Sequence, residues 1–240
     1  MSCESSSAVD MWRRFDFRAV CCFSSYFDRL GPLRTEFKRV GLADVIEFWS
    51  APNPFLPLML RSLQLCDLCA RKPYLVALTL KHQQMIRTAY DVGANFGLFM
   101  EDDIRFLRDT ELLRASVGHA PVDADVLLFE WLAPWGPAEF HERIKTRKSG
   151  DFWYRFGRTG ILNCGCYGLS RKAMAAMLRI LEAPADGRTL FDVCDRHWAE
   201  LSDESGLNMY ISSPVACVQD EAKHQHAYND VDARRELYGA

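Results

Sequence analysis

The stretch FGLFM, residues 96–100, is apolar at every position. A strand with one wet face alternates apolar and polar side chains. An unbroken apolar run is expected where helices cover the sheet on both faces. That single run already favours a layered α/β domain over a sandwich or a helical bundle. The run then ends in Glu101, Asp102 and Asp103. Three adjacent carboxylates repel one another and are poor strand formers. Either they form a solvated turn or they hold something positive.

The rest of the chain fits the layered reading. Residues 15–23, 43–51, 124–132 and 161–170 read as further strands, as do NMYISS and VACVQ near the end. Leu33, Phe37 and Val40 have helical spacing, and 56–70 and 75–92 read as helices, the second stopped by Gly93. Asp109–Ser116 predicts a short helix, and a further one runs near 189–201. Ser170 is placed to cap the helix of SRKAMAAMLRILEA. Residues 133–158 are rich in Pro, Trp, Phe and charge without a period, and read as a functional loop. The expected organisation is a flexible N-terminal tail over 1–14 and a single domain over 15–240. Alternating strands and helices predict a mostly parallel central sheet flanked by helices.

Composition excludes some function classes. The net charge of -3 gives no basic field for nucleic acid. No apolar run reaches the ~20 residues of a transmembrane segment. The opening MSCESSSAVDMWRR lacks the apolar core of a secretion signal, so a cytoplasmic protein with reduced thiols is expected. Of nine cysteines, Cys66 and Cys69 form a CxxC, and Cys164 and Cys166 a CxC. Two such pairs have zinc-ligand spacing. The helical setting of the first and the strand-like setting of the second favour buried thiols instead.

In an open α/β sheet, ligands bind beyond the carboxyl ends of the strands, where Glu101–Asp103 would sit. If the chain stays extended, Glu101 and Asp103 point to one side and Asp102 to the other. Two carboxylates on one side can hold a hard divalent cation, which in turn can bridge to a diphosphate. No glycine-rich phosphate loop is present, so metal would carry that task.

The block ALTLKHQQMIRTAYDVGANFGLFMEDDIRFL resembles the central block of the family 25 glycosyltransferases, which include lipopolysaccharide sugar transferases and collagen galactosyltransferases. Its helix carries Leu80-Lys81-His82, with Lys81 where the family has serine, and its strand ends in Glu101-Asp102-Asp103. VCCFSSYFDRLGPLRTEF is similar to the family's opening strand and Asp-Arg pair, here Asp28-Arg29. Arg34 matches a second family arginine after a one-residue insertion. CGCYGLSRKAMAAML is similar to a later strand, Ser-Arg turn and helix, here Tyr167, Ser170 and Arg171. The three blocks lie within residues 17–220.

The resemblance implies a GT-A, Rossmann-like fold and a metal-dependent hexosyltransferase. The donor would be a nucleotide-diphosphate sugar, UDP-linked galactose or glucose, and the acceptor a glycan or glycoconjugate. It implies Mn2+ or Mg2+ held by Asp103, with Glu101 facing the ribose or a metal-bound water and Asp102 alongside. Arg29 would meet the diphosphate, and Ser24 and Ser25 the base or ribose. His224 or His226 would complete the metal site, since imidazole suits manganese. For the base that deprotonates the acceptor, Asp192 is the first candidate, with Asp195 and Glu130 as competitors. His82, on an apolar helix face, is expected to make a structural hydrogen bond. Trp131, Trp135 and Trp153 either stack on an acceptor sugar or pack the loop. Two rival functions keep the scaffold: a sugar-nucleotide nucleotidyltransferase, and a non-catalytic nucleotide-sugar-binding protein.

Overall fold

Strands and helices alternate as the hydrophobic pattern requires. A computed structural model describes residues 11–23, 28–42, 44–50, 65–131, 148–157, 163–183, 192, 194–203, 206–213 and 215–219. In chain order these give β1 (Phe17–Phe23), α1 (Leu30–Val40), β2 (Ile46–Ser50), α2 (Asp67–Arg71), α3 (Pro73–Asp91), β3 (Phe96–Glu101) and β4 (Ile104–Phe106). There follow α4 (Thr110–Gly118), β5 (Val126–Leu128), β6 (Lys148–Ser149), β7 (Trp153–Phe156), β8 (Cys166–Ser170) and α5 (Arg171–Glu182). A 3-10 turn (Cys194–His197), α6 (Trp198–Asp203), β9 (Met209–Ser212) and β10 (Cys217–Gln219) complete the order.

The expected α/β class is observed: a large sheet, order β2-β1-β3-β8-β5-β9-β7-β6, flanked by helices. The β2–β1–β3 block is parallel, with helices in its crossovers, and forms the Rossmann-like part. Beyond β3 the sheet is mixed, because β8 enters antiparallel between β3 and β5. A separate pair joins β4 to β10.

Period-two alternation divides the core between the faces. Ala19 and Cys21 of β1 and Phe99 of β3 pack with Met85, Ile86 and Ala89 of α3 and with α5. Val20, Cys22, Leu98 and Met100 pack on the other face with Leu33, Phe37 and Val40 of α1. The run FGLFM is therefore buried on both faces, as its composition demanded. The packed body reaches Trp12, ahead of the boundary expected at residue 15. Its ring is fully buried, and its Nε1–H donates to the Val40 carbonyl at 2.8 Å.

Caps close the elements where the sequence signals them. Gly93 has φ +85 after α3, a backbone that disfavours other residues. Asp109 accepts the N–H groups of Glu111 and Leu112 at the start of α4. Ser170 accepts from Ala173 N–H and donates to Asp125. The part of 133–158 that is described is not loop: β6 and β7 form a hairpin on β9.

One clamp positions the segment after the acids. Glu36 on α1 accepts the Phe106 N–H at 2.8 Å, and Arg39 donates to the Phe106 and Leu107 carbonyls at 3.1 Å. Arg39 also binds the Glu36 carboxylate at 2.5 and 3.0 Å. Burial pushes the Glu36 carboxyl upward, but Arg39 and the Phe106 N–H outweigh it, and its pKa lies below the ordinary glutamate value. A depressed folded pKa contributes stability that is complete above the unfolded value and is lost as pH falls through the folded one. Urea melts of the parent and Glu36→Gln should therefore differ by a constant margin at neutral pH and converge below about pH 4. A margin that stays constant down to about pH 3 would show that the carboxylate is not held this way.

Candidate active site

Strand direction decides which chain ends meet. β8 runs antiparallel to both β3 and β5, so β1, β2, β3, β5 and β9 all point their carboxyl ends to one edge. Glu101 closes β3 at that edge, Glu130 follows β5, and Gly165 precedes β8. Glu101 N–H donates to the Gly165 carbonyl at 2.9 Å.

The three acids are not a solvated turn. Asp102 is 3% and Asp103 7% exposed, and Glu101 is half-buried. Nor does the chain stay extended: it turns at 102–103 before β4. The turn brings both aspartates to one cation instead of to opposite sides. Arg29, itself 5% exposed, places Nη1 2.9 Å from Asp102 Oδ1 and 3.5 Å from Asp103 Oδ2. Its neighbour Asp28 is exposed. Buried carboxylates are tolerated only when paired in this way. Two carboxylates thus gather around one guanidinium at the edge, with Glu101 the residue before them in the chain.

Glu101 is held from two sides. Its Oε1 lies 3.4 Å from His82 Nε2, and its Oε2 accepts from Gln219 Nε2 at 3.2 Å. His82 is fully buried, with Nδ1 2.7 Å from the Tyr167 hydroxyl. Burial, reinforced by nearby Cys164, Cys194 and Glu101, pushes the Tyr167 phenol well above its ordinary pKa. A protonated Tyr167 donates to Nδ1, which leaves the Nε2 side of the ring facing Glu101 at 3.4 Å. The structural hydrogen bond expected of His82 is present, and it reaches the acid cluster as well.

Glu130 belongs to the same neighbourhood. It is 2% exposed, and its Oε1 accepts the Gln219 N–H at 2.8 Å. Gln219 thus joins Glu130 to Glu101. The N–H groups of Phe129 and Glu130 both donate to the Cys166 carbonyl, a bulge that ends the pairing of β5 and re-aims the chain. A methyl at Gly165 would lie 1.6 Å from Glu130 Oε2. Any side chain there would have to displace the Glu130 carboxylate.

Other predicted residues fall elsewhere. Asp192 is half-buried, accepts from the Cys66 thiol at 3.1 Å, and lies 3.5 Å from Arg196. Arg34 makes an exposed two-point pair with Glu47 at 2.8 and 2.9 Å. Arg171 donates to the Tyr90 carbonyl and covers the Tyr90 ring, so the Ser-Arg turn ties β8 and α5 to the end of α3. Trp131 and Trp153 are buried and donate to the Ser212 and Ser116 carbonyls. Packing, not sugar stacking, is their role. Ser24, Ser25, Trp135, His224, His226 and the Asp195 side chain lie outside the described residues.

The described cysteines are free and mostly buried. The CxxC and the CxC do not converge: Cys166 shares a thiol hydrogen bond with Cys217, while Cys66 and Cys69 meet Asp192. Burial, with Asp102 nearby, pushes Cys22 up to about 12. Burial, then Cys66 and Asp192, pushes Cys69 up to about 12.

Sequence reasoning missed Gln219 and Gly165. Neither residue type signals chemistry by itself, and both matter through partners distant in the chain.

The acids offer hard oxygen donors, which suit Mg2+ or Mn2+. Among the described residues they do not gather three ligand atoms within 4.8 Å; only Cys66, Cys69 and Asp192 do. One or two carboxylates, with phosphate oxygens and water, are the usual protein share of such a cation's shell. The residues present fit that pattern.

No family model matches the chain, and no curated protein matches it. Among solved structures it is similar to a protein described as a glucose-1-phosphate thymidylyltransferase from Bacillus anthracis, in complex with a sucrose. The identity is 11% and the TM-score 0.41, over 96% of this chain and 80% of that one. It is also similar to a mannose-1-phosphate geranyltransferase from Thermus thermophilus, at 14% identity and TM-score 0.35, over 82% and 73% of the two chains. Mouse xyloside xylosyltransferase 1, apo form, is similar at 8% identity and TM-score 0.37, over 82% and 85%. At these scores the likenesses carry no functional argument. Among the described residues, no helix is long and apolar enough to cross a membrane.

Removing one member of a buried ion pair leaves the other charge uncompensated. Arg29→Met, which strands both buried aspartates, should lower unfolding stability by about 3–5 kcal/mol. The triple replacement Arg29→Met, Asp102→Leu, Asp103→Leu should recover most of that loss in chemical melts. A single replacement as mild as a surface change would show that the pair is not buried in solution.

Proposed function

We propose that the chain is a metal-dependent glycosyltransferase. It moves a hexose from a nucleotide-diphosphate sugar, UDP-linked, to a glycan or glycoconjugate. The observation that carries this reading is the buried Arg29–Asp102–Asp103 cluster, with Glu101, at the carboxyl edge of β1 and β3. Such an edge is where α/β sheets bind nucleotides. A concentration of carboxylates suits a divalent cation, and oxygen donors suit Mn2+ or Mg2+.

In this reading Asp103 and Glu101 hold the cation, and His224 or His226 is the further ligand carried over from the resemblance. A cation there supplies neutralisation of the charge that develops on the leaving diphosphate. Arg29 positions Asp102 and Asp103. Asp102 and Ser24 face the nucleotide. Gln219 donates to one oxygen of Glu101 and His82 lies 3.4 Å from the other, which positions the carboxylate for its task. Glu130 takes the acceptor proton, and it is favoured over Asp192 because it shares Gln219 with Glu101. The Cys66 thiol and Arg196 already engage Asp192.

Calorimetry with UDP tests the reading. The parent should bind UDP with Mn2+ and not without it. Asp103→Asn keeps the shape of the side chain and should weaken metal-dependent binding at least about 10-fold. A parent that ignores UDP in the presence of Mn2+ refutes the assignment, as does an Asp103→Asn variant that binds like the parent. Incubation with UDP, GDP and CMP sugars then separates the rivals. Release of nucleoside diphosphate supports sugar transfer. Binding without release supports a non-catalytic protein, and pyrophosphate-dependent exchange supports a nucleotidyltransferase.

A further inference from the structure

Away from the acid edge, three ligand-type side chains from distant parts of the chain come together. The thiols of Cys66 and Cys69 and a carboxylate oxygen of Asp192 all lie within 4.8 Å of one another. The first two flank the start of α2, three residues apart, a spacing that puts both sulfurs on one side of a helical turn. Asp192 is 126 residues further on, just ahead of the 3-10 turn, and its Oδ1 is 3.1 Å from Cys66 Sγ.

The surroundings orient these groups. The Cys69 N–H donates to Cys66 Sγ at 3.4 Å, as backbone amides do toward ligating sulfur. Arg196 lies 3.5 Å from Asp192 Oδ2 and so directs Oδ1 at the thiols. Outer partners of this kind fix the direction of metal ligands. The Arg196 charge also offsets part of the negative charge that two thiolates and a carboxylate would gather. Cys69 is fully buried, and Cys66 and Asp192 are half-buried, so the cluster has both a dry side and an entry side.

We propose that Cys66, Cys69 and Asp192 form a zinc site. Two thiolates with one carboxylate are soft enough to exclude Mg2+, Ca2+ and Mn2+, and tetrahedral zinc accepts this donor set. Three protein ligands leave the fourth position to solvent. Zinc binding releases the two thiol protons to water, and the sulfurs then bind as thiolates. The ion cross-links α2 to the segment that opens the 3-10 turn. Cys69 packs against Val76 of α3, and Thr79 of α3 accepts the Cys194 N–H at 3.1 Å. The cross-link therefore adds to contacts that already hold α2 and the 3-10 turn against α3. The site is separate from the proposed donor site and does not depend on it.

Cobalt titration of the full, reduced, metal-free chain tests the proposal. One equivalent of Co2+ should develop sulfur-to-metal charge-transfer bands and the intense visible bands of a tetrahedral ion, and Zn2+ should abolish both. Cys66→Ser and Cys69→Ser should each reduce the charge-transfer absorption. Asp192→Asn should lower affinity at least about 10-fold. Cys66 and Asp192 are half-buried, so their variants should melt like the metal-free parent, which keeps the test valid if Cys69→Ser does not fold. Cys66→Ser should leave manganese-dependent UDP binding unchanged. A parent with free thiols that develops no bands overturns the proposal. So does a Cys66→Ser variant with undiminished bands, or a Cys66–Cys69 disulfide in protein purified without oxidant. A chain that binds zinc here and ignores UDP would leave this site standing and remove the transferase reading.

Discussion

The buried guanidinium of Arg29 between Asp102 and Asp103 fixes the geometry of the whole carboxyl edge. Each buried charge costs several kcal/mol to desolvate, and only close partners offset that. The turn at 102–103 must therefore return both carboxylates to the start of α1. That demand explains the neighbouring contacts. Glu36 and Arg39 on α1 hold the backbone just after the turn, and β10 pairs with β4. The pairing brings Gln219 to Glu101 and Glu130. The pair links positions 73 residues apart, so the edge can form only when β1, α1 and β3 have assembled.

A second chain of contacts ties that edge to the opposite layer. Tyr167 on β8, His82 on α3 and Glu101 on β3 make one line of hydrogen-bonding groups, with His82 and Tyr167 buried. Packing does the rest: Phe99 and Tyr167 pack ring against ring beneath it, and Arg171 ties the end of α3 to α5. His82, Glu101 and Tyr167 line one side of the edge, Arg29 with the aspartates forms its charged part, and Arg171 holds the far end of α3. A helix on one face, a strand end and a strand from the middle of the sheet are held in register by one imidazole.

Local chemistry made much of this legible in the sequence. FGLFM announced a strand covered on both faces, Ser170 a helix cap, Gly93 a helix stop, and the acids their position. What depended on distant partners was not legible. β4 is three residues long and pairs with β10 more than a hundred positions away, so no period betrayed it. Two-sided burial of β7 hid a strand inside a segment that read as loop, because Trp153 and Phe156 are both buried while the residues between them are not. The tryptophans of that region left stacking on a sugar and packing both open, and Trp131 and Trp153 are core. The acids looked solvated or extended, and a guanidinium that the sequence could not pair with them bends them together. The CxxC read as buried thiols on a helix, and its companion in the fold is a lone aspartate 126 residues away.

That companion changes how the chain's carboxylates divide. An aspartate at the edge of a sheet and an aspartate facing two thiols have the same intrinsic chemistry; their neighbours assign them. Arg29 and carboxylate neighbours leave Asp103 suited to a hard cation that keeps several of its waters. Two sulfurs leave Asp192 suited to a borderline ion that gives them up. Zinc binds most oxygen sites more tightly than manganese does, so affinity alone would load zinc at both places. Ligand type sets one limit, since manganese gains little from thiolates. The partial neutralisation by Arg29 sets the other. It lowers the negative charge that a bare carboxylate cluster would offer to any divalent ion, so under the proposed reading occupancy of the edge would depend on a diphosphate that brings its own oxygens. Were both proposals true, an ion held by sulfur and an ion admitted only with its anionic ligand would share one chain without exchanging places.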